Sequence, residues 1–145
     1  MEEYINFEIA KKLKDKGFSC HVDWYYDKDE GLCWGIPQHV IRHPNYTYYP
    51  RASISAVMKW LREEKNIDID IDAYCGMLGD KVYTPYISTY TEFTLETSPD
   101  VIRWRQRKFN PYNALPHELI PSHIYFNKWE DAALYTIEYV LDKLI

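Results

Sequence analysis

The sequence predicts an α+β fold in a single domain over residues 1–145: a small, mainly antiparallel sheet packed against about three helices. Three observations carry this prediction. Amphipathic stretches with capping residues recur near the start, the middle and the end of the chain. Ile67-Asp68-Ile69-Asp70-Ile71-Asp72 alternates at the period of a half-buried strand. The chain has 145 residues, 46% hydrophobic and 17% aromatic, enough to build one core and too apolar for disorder.

The first helix is expected over about residues 3–16, where Ile5, Ile9 and Leu13 stack at i, i+4, i+8 with Ala10 beside them. Lys11, Lys12, Lys14 and Lys16 favour its C-terminal end, Gly17 supplies a left-handed stop, and Phe18 folds back as the hydrophobic contact of the cap. Residues 19–26 alternate as a strand, with Cys20, Val22 and Trp24 on one face, and 27–31 form a turn. From Leu32 to Pro50, four Gly and Pro residues interleave with Trp34, Tyr46, Tyr48 and Tyr49, which predicts a long ordered loop.

Ser53 is a good N-cap for a helix to about Lys65, striped by Ile54, Val57, Met58 and Leu61, and Asn66 suits the left-handed position after it. The alternating strand 67–72 follows, then a turn over 75–80 and a β-prone segment over 81–97 that Pro85 would break or place at an edge. Residues 98–122, with Pro99, Pro111, Pro116 and Pro121, predict a second irregular excursion before a short strand at 123–126. Asn127 and Glu130 have capping-box spacing for a final helix over 128–144.

Composition removes several function classes. Lys plus Arg is 17 and Asp plus Glu is 22, so the net charge of −5 argues against wholesale attraction to nucleic acid or anionic lipid and leaves a local basic patch open. MEEYINFEIAKK has acids where a signal peptide has bases, and no stretch is long and apolar enough to span a bilayer, so neither secretion nor a membrane partner is expected. Cys20, Cys33 and Cys75 are odd in number and widely spaced, which fits reduced thiols in the cytoplasm.

Candidate chemistry is sparse. Cys20, His21, Cys33, His39 and His43 offer zinc-type ligands, yet only His39 and His43 have ligand-pair spacing, and no cofactor or catalytic residue is expected. Cys20 and His21 are neighbours that a strand would point to opposite faces; His117 and His123 are further histidines that a thiol could meet in the fold. Asp68, Asp70 and Asp72 predict a solvated strand face. Arg103, Trp104, Arg105, Gln106, Arg107 and Lys108 form a basic segment expected in a loop, where arginines could grip phosphates while Trp104 stacks on a base. The acidic balance favours the competing expectation that Glu92, Glu96 and Asp100 neutralise it. Tyr46, Tyr48, Tyr49, Tyr86 and Tyr90 are candidate interface aromatics, with core lining as the alternative.

EEYINFEIAKKLKDKGF, SISAVMKWLREEKNIDIDI and KWEDAALYTIEYVLDKLI together resemble short proteins of prophage and mobile-element regions in gut-dwelling anaerobic bacteria. That resemblance implies a cytosolic accessory protein of a mobile element and brings no activity, cofactor or site residue with it. From residue 53 onward the helix, strands, helix order is that of a double-stranded-RNA-binding module, but Lys128 beside Glu130 and Asp131 replaces the usual basic helix start, so the order licenses no such function. The expectation is a non-enzymatic accessory or protein-interaction domain, by partner binding or self-association; the alternative is nucleic-acid binding through 103–108.

Overall fold

The structure, a computed structural model, describes residues 3–76, 78–111 and 126–145. It is α+β, with helices α1 (Phe7–Asp15), α2 (Gln38–Ile41), α3 (Ile54–Lys65) and α4 (Trp129–Lys143). The strands are β1 (Trp24–Tyr26), β2 (Leu32–Trp34), β3 (Tyr49–Pro50), β4 (Ile67–Cys75), β5 (Lys81–Leu95) and β6 (Ser98–Phe109). They make two antiparallel sheets, in the orders β2-β1-β3 and β4-β5-β6.

Helix α1 starts later than its apolar pattern suggested, because residues 3–5 are held in an extended run beside the start of α3. The Ile5 amide donates to Ala52 at 3.1 Å and the Ile54 amide donates to Glu3 at 2.9 Å. Asn6 then caps the helix, its Oδ1 accepting from the Ile9 amide at 3.0 Å. At the other end Gly17 adopts φ +87°, the Gly17 amide bonds Lys14 and the Phe18 amide bonds Leu13 at 3.0 Å, which closes a Schellman motif and buries Phe18.

Segment 32–50, expected as loop, contributes β2, α2 and β3. Each piece is two to four residues long, too short to carry a period. The strand expected over 19–26 shortens to β1, which buries Tyr25 and leaves Trp24 exposed.

The Ser53 hydroxyl accepts from the Ala56 amide at 3.1 Å, and Asn66 takes φ +55° to end α3. Ile67 and Ile69 on β4 and Ile87 on β5 then share the face covered by the helices, with Leu13, Val57, Leu61, Ile137 and Val140 above them. Lys12 ties α1 to α4 through Glu138 at 2.8 Å and Asp142 at 3.0 Å, and these carboxylates raise its ammonium pKa.

Pro85 neither breaks β5 nor marks its edge; it pairs with Ile71 inside the central strand. The Tyr83 amide and carbonyl both bond Phe126, on the side away from β4. Alternation points the Pro85 nitrogen to that same side, so its missing N–H subtracts nothing from the β4 ladder.

The excursion expected over 98–122 is β6 as far as Phe109; residues 112–122, with Tyr112 and His117, lie outside the described residues, as do residues 123–125 of the expected strand, with His123. Phe126 forms an isolated bridge. Helix α4 begins one residue later than its capping-box spacing implied, with Lys128 as N-cap and no side-chain cap bond, because Asn127 falls outside the cap position. Glu130 and Asp131 remain in the first turn, where the helix dipole favours them.

Candidate polyanion-binding arm

Strand β4 pairs β5 over Lys81–Thr89, whereas β6 pairs β5 from Ile87 to Leu95, so all three strands overlap at residues 87–89 alone. Beyond Thr89 the described sheet narrows to β5 and β6. Residues 90–95 and 98–106 thus form a two-stranded arm roughly 20 Å long, turned at Glu96 and Thr97. Pro99 to Lys108 are all exposed.

The basic segment is therefore an outer strand and not a loop, and strand geometry sorts its side chains onto two faces. Thr89↔Arg107, Thr91↔Arg105 and Phe93↔Arg103 lie on one face; Ser88↔Lys108, Tyr90↔Gln106 and Glu92↔Trp104 lie on the other. Arg105 sits over the Phe93 ring at 5.0 Å and Arg107 over Phe109 at 4.9 Å, so each guanidinium rests on an aromatic platform. Lys108 leans the opposite way, over Tyr86 at 5.2 Å. The Gln106 amide nitrogen lies 3.4 Å from both the Ser88 and Tyr90 hydroxyls.

Two expectations change here. Trp104, 50% exposed, points away from the three arginines, so one strand of nucleic acid cannot be gripped by its phosphates and stacked on Trp104 by the same face. Glu92 is on the Trp104 face too, and among the described residues Arg103, Arg105, Arg107 and Lys108 take part in no ion pair.

The candidate tyrosines do not converge. Tyr46 is exposed, while Tyr48 and Tyr49 are half-buried beside the small sheet, with Tyr49 edge-on to Phe7. Tyr86 and Tyr90 lie on β5, on the face away from the helices. The Tyr86 hydroxyl, 3.4 Å from that of Tyr74, pushes the Tyr74 pKa up to about 12, with the Asp72 charge acting in the same direction. Asp68, Asp70 and Asp72 share this outer face, as the alternation implied. An aromatic pair was missed: Trp24 and Trp34 face each other across β1 and β2, 41% and 68% exposed, next to exposed Leu32. The alternation on either side of the turn at 27–31 was the signal for it.

Among the described residues no three His, Cys, Asp or Glu side chains are grouped to hold a metal. Cys33 Sγ lies 3.9 Å from Asp27 Oδ2. Cys20 and His21 line a cavity of about 290 Å³ with Lys14, Tyr25, Gln38 and Tyr48. The Lys14 ammonium there already donates to the Tyr48 carbonyl at 3.0 Å, and burial pushes the Cys20 thiol pKa up, away from nucleophilic reactivity. No described helix is long and apolar enough to cross a membrane. No family model, no curated protein and no solved structure matches the chain.

Proposed function

We propose that the chain is a non-enzymatic interaction domain, a cytoplasmic accessory protein of a bacterial mobile element, that engages its partner with the β5–β6 arm. One observation carries this reading: the arm exposes a row of arginines with no ionic partner among the described residues. Two-stranded ribbons are marginal on their own, and this one adds little burial to the core. Its long side chains are instead available to another molecule. The three segments that resemble prophage and mobile-element proteins support the biological setting, and the three free cysteines support a reducing compartment.

A photo-crosslinking residue in place of Thr91 on the arm, compared with one in place of Lys59 on α3, tests this in the cells that make the protein. Heavy adducts are expected from position 91 and not from 59. Adducts from 59 alone, from both equally, or from neither contradict the arm as the contact element.

A further inference from the structure

We propose that the arm binds duplex DNA, with the phosphates of the duplex lying along Arg103, Arg105 and Arg107; this rests on the arm being the contact element. Alternate residues of a strand stand about 6.7 Å apart, so the three guanidinium stems span roughly 13 Å. A DNA strand carries one phosphate per about 3.4 Å of helix axis, so about four phosphates pass that length. Arginine is suited to them because its planar fork donates two parallel hydrogen bonds to a phosphate. Across from the arginines stand Thr89 and Thr91, whose hydroxyls are further donors of the kind that contact the DNA backbone.

Charge is segregated to suit a polyanion. Asp68, Asp70, Asp72 and Glu92 occupy the opposite face of the sheet, and Glu96 and Asp100 lie toward the tip, beyond the row. These six carboxylates therefore lie off the arginine row.

Two other partners fit less well. A single strand is held by a basic track with aromatics free to stack alongside it; here Trp104 and Tyr90 are on the other side of the ribbon, and Phe93 and Phe109 on the arginine side are half-buried under Arg105 and Arg107. A protein interface has an apolar centre depleted of charge, but the apolar side chain paired within the arginine row is Phe93, half-buried and covered by Arg105, while exposed Leu95, Val101 and Ile102 lie toward the turn and Trp104 on the other face. Two strands about 4.8 Å apart also fit the duplex major groove, about 12 Å wide, which admits such a ribbon.

Fluorescence anisotropy of the full chain with a labelled DNA duplex of about 20 base pairs tests the inference. Three phosphate contacts predict a slope of about −2.7 in log affinity against log salt, or a loss of about 40-fold between roughly 50 and 200 mM NaCl. R103A/R105A/R107A should remove that slope and R103K/R105K/R107K should keep most of it, both with unchanged circular dichroism. A flat wild-type slope, equal duplex binding by the alanine variant, tighter binding of the matching single strand, or equal competition by polyglutamate would each overturn DNA as the partner. Failure here with adducts still forming at position 91 removes DNA and leaves the arm; loss of those adducts removes both.

Discussion

Replacing Ile87 with alanine is expected to lower the unfolding free energy by about 2–5 kcal/mol. The residue has no exposed surface and sits where β4, β5 and β6 overlap, opposite Ile69 on one side and Phe109 on the other. Helices α3 and α4 cover the same face, which leaves the structure little freedom to collapse into the space vacated. Against a typical total of about 5–15 kcal/mol, this single change removes a large share of the stability. Urea unfolding should show the midpoint falling at nearly constant slope. A loss below about 1 kcal/mol would mean that the arm is not rooted in the core through this residue.

Amide hydrogen exchange should divide β5 into two regimes along one continuous strand. Amides of Ile87 and Ser88 are ladder-bonded in a three-stranded region over buried side chains, so they open with the global transition. Among the described residues, amides from Thr91 to Leu95 have β6 alone beside them, and both faces of the ribbon are largely exposed. An opening free energy smaller by about 4 kcal/mol gives exchange faster by roughly 10³-fold in the arm. Uniform protection from Lys81 to Leu95 would contradict an arm that projects beyond the body.

The framework was legible where sequence signals were local and redundant. Ser53, the stripe from Ile54 to Leu61, Asn66 and the Ile/Asp alternation each point to the same geometry, and α3 and β4 follow them closely. Gly17 and Phe18 similarly announced the end of α1. Strand β6 was not legible because it buries almost nothing. Arg103 to Lys108 has no apolar alternation, and the Glu96-Thr97 turn lacks the Asn-Gly or Asp-Gly signature of a tight hairpin. Its existence depends on backbone pairing with β5, a long-range fact that composition does not encode. The candidate residues themselves were visible as a basic cluster, but the separation of Trp104 and Lys108 from the three arginines became visible only once the segment was a strand. The start of α1 was misjudged for a related reason: Ile5 fits a helical stripe equally well as a buried side chain in an extended run, and pairing with Ala52 decides between them.

The proposed polyanion-binding surface is the arginine side of the β5–β6 arm. Backbone amide shifts of the isotope-labelled chain, followed by NMR as duplex DNA is added, test it residue by residue. Progressive shifts are expected at Thr89, Thr91, Phe93, Arg103, Arg105 and Arg107, with Trp24, Trp34 and the α3 amides unmoved. Shifts centred on the Trp24–Trp34 pair, or none anywhere, would contradict it.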